Sequence, residues 1–259
     1  MCWSPENLNE HLATGGLIFV RVAALMLIAP VLGPFELAAR WRLALAVALA
    51  VLLTPLAVGR VESPPHVIGT WLAVAGGEAL VGLMLGLGVR IMFTGLQVAG
   101  GLISQMSGLQ LAEVFNPSMG GSVPVFSQLL LLVATAVFLL IGGHRQLIEA
   151  LLDSFVAVPT GHATFSASAV QGVTTLVANS FALGLRAAVP AVVALLLATL
   201  VVGFIGRTLP QLNVMSLGFG INVMTALMAF GVSLGGACWL FQDALGPTIQ
   251  ISLEALGSP

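Results

Sequence analysis

Charge is scarcer in this chain than a water-soluble surface allows. Its 259 residues include 8 Lys plus Arg and 10 Asp plus Glu, or 7%, against about 25% in an ordinary soluble domain. Apolar residues make up 58% of the sequence, and the mean hydropathy is +1.09. So few charges cannot cover a globule of this size, which excludes a cytosolic enzyme, a secreted domain and a disordered chain. The surroundings such a chain expects are lipid, or other protein just as apolar.

The positive charges are all arginines, the net charge is -2, and no basic cluster exists that could track phosphates, so nucleic acid is not an expected partner. Cys2 and Cys238 stand at opposite ends without CxxC neighbours, which points to neither a disulfide framework nor a zinc site. The first eleven residues hold Glu6 and Glu10 but no Lys or Arg, so no signal peptide is expected; Cys2 follows Met1 directly, so neither is a lipobox.

Apolar stretches of about 20 residues suffice to cross a bilayer. The first runs Leu12 to Leu32 and the second Trp41 to Val58, followed by the polar connection Arg60 to Pro65, where two prolines stop any helix. From Val67 to Asn116 there is no proline, and one straight helix of that length would span roughly 75 Å at 1.5 Å per residue. The expected break is Gly100-Gly101, giving a helix from about Ile68 to Val98 and a second element after it. The segment Gln105 to Val123 (QMSGLQLAEVFNPSMGGSV) is mixed, glycine-rich and turned at Asn116-Pro117. Its backbone groups would lack partners in lipid, so it must be wrapped in protein or line a water-filled space.

The fourth stretch, Pro124 to Ile141, ends in Gly142-Gly143-His144-Arg145, and a more polar segment follows. The fifth, Ser166 to Phe204, is longer than one span, with a kink or break expected near Pro190. After the connector Arg207 to Asn213 the sixth runs Val214 to Phe241, leaving a short tail from Gln242. The fold class is therefore all-α, a polytopic membrane-type helical protein, dividing as four stretches before Ala163 and two after. By the positive-inside rule the odd connectors face the cytoplasm and both termini lie outside, on a margin of one or two arginines.

Arg21, Glu78, Arg90 and Arg186 interrupt apolar stretches, where a charge costs about 2.5 to 3.5 kcal/mol on insertion scales. An ion or proton path usually shows several acids on one helix face, so these residues, with Arg207 in the connector, read as buried charges that fix how helices or subunits meet. Glu78 and Arg90 lie about 18 Å apart along one straight helix and cannot pair with each other. Small residues recur four apart at Gly82/Gly86, Ala75/Ala79, Gly95/Ala99 and Gly231/Gly235, a spacing that lets helix backbones approach closely.

No GxSxG, HExxH or P-loop is present. Ser107 and His144 are the components of a conceivable intramembrane serine protease, but neither lies in a recognisable motif. No catalytic residue, cofactor or metal is expected. The competing non-enzymatic reading is a self-contained six-span transporter or channel with Glu78 and Arg186 on its substrate path.

Several segments resemble one family. Residues 142 to 155 (GGHRQLIEALLDSF), followed by Val158-Pro-Thr-Gly161, are similar to FliR, the flagellar biosynthesis family of the type III export gate, as is RTLPQLNVM from Arg207. Gly76 to Gly82, Asn116-Pro117, and Arg21 with Pro30 and Arg42 add to the likeness, spread in order over nearly the whole chain. Virulence secretion systems have a related protein; Gly-Gly-His at the end of the fourth stretch looks more flagellar. The family often has Pro-Leu-Lys where this chain reads Gly220-Ile-Asn222, and an acid where it has Asn116, so charge-based roles at those points do not carry over.

The resemblance implies a non-enzymatic subunit of the flagellar basal body in the bacterial inner membrane. It implies FliP-like and FliQ-like gate subunits as partners, FlhB and FlhA in contact with them, and unfolded flagellar proteins passing through a central channel. It implies a FliP-like part over residues 1–162 and a FliQ-like hairpin over 163–259, packed into a helical assembly much of which is raised above the membrane plane, with lipid meeting the remainder. It also implies that Gln105 to Val123 is the channel plug. On that reading Met106, Leu109, Leu111, Val114, Phe115 and Met119 fill the channel, Asn116-Pro117 turns the loop, and Gly108, Gly120 and Gly121 are its hinges.

Overall fold

The computed structural model describes residues 5–30, 39–57, 68–109, 124–162, 167–208 and 214–257. Among the described residues there are seven helices and no strand: α1 Pro5–Ile28, α2 Ala39–Ala57, α3 Ile68–Ser107, α4 Val125–Leu140, α5 Gly143–Ala157, α6 Ala167–Thr208 and α7 Val214–Gly257. By length and composition α3, α6 and α7 suffice to cross a membrane, and α4 with α5 does so only as one broken span. The all-α, membrane-type architecture expected from composition is the one observed.

Helix boundaries depart from the sequence reading in four places. α3 continues through Gly100-Gly101 to Ser107, so no break occurs there. A Cβ at Gly100 would overlap the backbone of Ser127 and Phe126, whereas one at Gly101 would meet only Ser127 Oγ at 3.6 Å. The first glycine therefore serves close packing on α4 rather than flexibility. α6 passes Pro190 without a break. The polar segment after Gly143 forms α5, with Leu147, Ala150, Leu151, Ser154 and Phe155 buried at helical spacing. The tail from Gln242 completes α7, which runs through Pro247.

The chain forms two compact units. One draws on residues 1–91, 142–177 and 245–259. Here α1 packs on α2 and, through glycines, on α3: a Cβ at Gly82 would overlap the Arg21 carbonyl, and one at Gly86 would lie 3.1 Å from the Leu25 carbonyl. Gly88 gives Ser252 of α7 the same close approach, and Gly172 of α6 accommodates Ala255. The Ser168 hydroxyl donates to the Ala255 carbonyl at 3.1 Å. α5 begins at Gly142, whose φ of +71° suits glycine and whose carbonyl accepts from the Arg145 and Gln146 amides.

The other unit draws on residues 92–141 and 178–244. Its core is aromatic: Phe93 meets Phe138 and Phe241 edge-on at 5.7 and 5.1 Å, and Phe126 meets Phe230 at 5.0 Å. The Ser127 hydroxyl donates to the Gln97 carbonyl at 2.7 Å, joining α4 to α3 beside Gly100. α3 and α6 touch backbone to backbone, since a Cβ at Gly95 would overlap the Ser180 carbonyl and one at Gly184 the Gly95 carbonyl.

Adjacent glycines thus have opposite substitution costs. Gly100→Ala is expected to lose about 1 to 3 kcal/mol through overpacking, while Gly101→Ala is neutral or gains up to about 1 kcal/mol of helix propensity. Midpoints of thermal unfolding in detergent check this; a flexible break at the pair would make both substitutions alike.

Candidate functional site

Arg21 lies in the middle of α1, and its side chain has 0% exposure, as does that of Glu78 on α3. Arg21 Nε donates to Glu78 Oε2 at 2.6 Å. The remainder of the guanidinium is directed at the end of α5: Nη1 donates to the Ser154 carbonyl and Oγ at 3.1 and 3.2 Å, and Nη2 to the Val158 carbonyl at 3.1 Å. Its Cζ sits 4.3 Å from the centroid of the Phe155 ring. A cation at a helix C-terminus meets unpaired carbonyls and the negative end of the helix dipole, and a face-on aromatic ring adds attraction.

Glu78 is satisfied on its other oxygen. The Gly161 amide donates to Oε1 at 2.9 Å, from a turn closed by the His162 amide on the Pro159 carbonyl at 3.1 Å. Gly161 has φ +97°, and a Cβ there would have nothing within 4 Å. Backbone conformation, not space, requires glycine at this point. One buried ion pair therefore ties together α1, α3, the end of α5 and the turn after it.

In the sequence Arg21 and Glu78 stand as two separate buried charges; the fold joins them. Phe155 and Val158 are not evident there as partners, and Ser154 and Gly161 stand out only as polar or family-like residues. The available signal is a helix-ending Pro-Thr-Gly turn after an amphipathic stretch. Arg90 is half-buried, while Arg186 and Arg207 are exposed on α6. Both carboxylate oxygens of Glu78 are thus bonded, and its side chain has no exposed surface.

The expected plug begins at the end of α3. Gly108 has φ +79° and donates its amide to the Gln105 carbonyl at 3.3 Å, the left-handed ending favoured by glycine, with the Phe219 ring beside it. Met106, Gly108 and Leu109 are half-buried. Ser107 is buried with its hydroxyl donating to the Ser104 carbonyl at 2.9 Å, and His144 is exposed in the first turn of α5. Leu111, Val114, Phe115, Asn116, Pro117, Met119, Gly120 and Gly121 lie outside the described residues.

Breaking one side of the buried pair strands a charge. Arg21→Leu is expected to cost about 3 to 5 kcal/mol and to deplete the chain from membranes. The double change Arg21→Leu with Glu78→Leu recovers part of that loss but not all, because the Gly161 amide and the Val158 carbonyl lose the partners they have in the pair. Chain abundance and thermal midpoints across the double-mutant cycle measure this; strictly additive effects would contradict the pairing.

Comparison with known proteins identifies the family. The model of the bacterial export proteins, family 1, matches residues 12–247. The flagellar biosynthetic protein FliR of Caulobacter vibrioides is 30% identical over 235 residues, covering 91% of this chain and 94% of the relative. The FliR proteins of Aquifex aeolicus (31% over 229 residues, 87% of each chain) and Escherichia coli K12 (30% over 215 residues, 81% and 82%) are similar at the same level. The match runs from within α1 to within α7, and the chain belongs to the bacterial export proteins, family 1.

Proposed function

We propose that this chain is a non-enzymatic subunit of the flagellar type III protein export gate, in the bacterial inner membrane at the base of the flagellum. It forms part of the channel through which unfolded flagellar proteins pass. Its immediate neighbours are FliP-like and FliQ-like subunits, with FlhB and FlhA in contact with the assembly. Residues 1–162 act as the FliP-like part and 163–259 as the FliQ-like hairpin.

The observation that carries this reading is the bareness of α6 and α7. They are 42 and 44 residues long, and only 22% of the most apolar stretch of each is buried within the chain, against 61% for α3. At 1.5 Å per residue they extend roughly 63 and 66 Å, about twice a hydrocarbon core. Lipid cannot cover that much apolar surface, so neighbouring polypeptides must cover the rest.

The segment from 105 to 123 closes the channel. Two features support it: the left-handed Gly108, which ends α3 and supplies a hinge, and a composition that excludes water yet is barred from lipid. Deleting residues 110–120 in cells that make the whole apparatus is expected to raise ion leakage across the membrane while export continues. An assembled, secreting complex with unchanged leakage refutes the plug. Failure of the chain to co-purify with FliP- and FliQ-like subunits refutes the subunit reading itself.

A further inference from the structure

Since lipid covers only part of α6 and α7, the pattern of exposed charge decides which part. α6 carries two arginines, Arg186 and Arg207, both exposed, with no charged residue between them. Neither has an ion-pair partner among the described residues. The rise from one to the other is roughly 31 Å, the thickness of a bilayer's hydrocarbon core. Between them the exposed face is Val189, Val193, Leu197, Leu200 and Phe204. The exposed Thr199 there donates its hydroxyl to the Leu195 carbonyl at 2.8 Å, leaving no proton that needs water. Before Arg186 the exposed face is mixed, with Gln171, Thr174, Thr175 and Asn179 among Val170, Val177, Phe181 and Leu185, whereas between the arginines its large residues are all apolar.

α7 also has a long charge-free stretch. It has no charged residue from Val214 to Phe241, and it exposes Phe219, Met228, Val232 and Trp239. Its exposed Gln242-Asp243 pair follows one turn after Trp239. Gly218 lies against Val202, and the connector between the helices is short, so they run antiparallel there. The Arg207 end of α6 and the start of α7 share one edge of the bare face. Arg186 and Trp239 belong to the other edge. Arginines and tryptophans are the residues that anchor a span at the headgroup level, the first by reaching phosphate and the second by its amphipathic ring.

We propose that the α6 face between Arg186 and Arg207, with the α7 face from Phe219 to Trp239, is the band of this chain that touches lipid acyl chains, and that the two arginines bind headgroup phosphates at its edges. The assignment deepens the subunit reading, on which it rests for the protein that covers the rest of both helices.

The test uses the unmodified chain in membranes containing the whole apparatus, with a phosphatidylethanolamine that bears a diazirine in one acyl chain. After illumination, adducts are expected at least about tenfold more often at residues 187–206 and 219–239 than elsewhere in α6 and α7. Adducts spread over 167–185, or absent from 187–206 because protein covers it, overturn the proposal. A second measurement reads the edges. Nitroxides at Val193 and Leu197 are expected to be more accessible to oxygen than to a water-soluble nickel chelate, and those at Thr175 and Thr208 the reverse. Equal profiles at all four positions overturn the band. Deleting the chain separates the two readings: unchanged flagellar export defeats the subunit reading, whereas lost export with misplaced adducts defeats the lipid band alone.

Discussion

A guanidinium with no access to water must find acceptors for its donors inside the protein or destabilise the fold. Arg21 meets this demand with acceptors from three places: a carboxylate on α3, two carbonyls at the end of α5, and a serine hydroxyl between them. Glu78 in turn takes the amide of Gly161. Each of these groups would be costly to bury alone. Together they fix the position of α1 against α3 and the point at which α5 must stop. Hydrophobic contact between apolar helices is non-directional and would tolerate many rotations, so the polar network supplies the register that leucine and valine cannot.

Glycine supplies the second constraint. Gly82 admits the Arg21 carbonyl region itself, so the close approach of α1 and α3 and the ion pair between them are parts of one contact. The spacing Gly82/Gly86 announces this packing in the sequence, and of the Gly95/Ala99 pair Gly95 serves the contact of α3 with α6. By contrast, a Cβ at Gly231 or Gly235 would have nothing within 4 Å, so identical spacing on α7 serves no contact among the described residues.

The helices themselves are legible because hydropathy is nearly uniform along them, and their charges are legible because each is rare. Pairing is not. Arg21 and Glu78 stand 57 positions apart, and no local pattern connects them. Gly100 reads as a break because the reason for it, the Ser127 backbone, lies on another helix. α5 escapes notice for a different cause: His144, Arg145, Glu149 and Asp153 make it the least apolar of the helices, although Leu147, Ala150, Leu151, Ser154 and Phe155 trace a buried face at helical spacing. Average hydropathy hides a helix that is half wet. Of the residues expected to fill, turn or hinge the plug, only Met106, Gly108 and Leu109 fall among the described residues, and the turn at Gly108 is the part that glycine's φ makes readable.

The contact of Gly95 with Gly184 bears on how these helices can shift against each other. Packed helices ordinarily slide past one another by small rotamer adjustments of interlocking side chains. Where backbone lies on backbone there are no rotamers to adjust, and the Gly95 carbonyl already fills the space a Cβ at 184 would take. At that crossing α3 and α6 lie at backbone contact, with no side chain between them to repack. Any change in the angle between these two helices must then be taken up at other contacts, where side chains can yield.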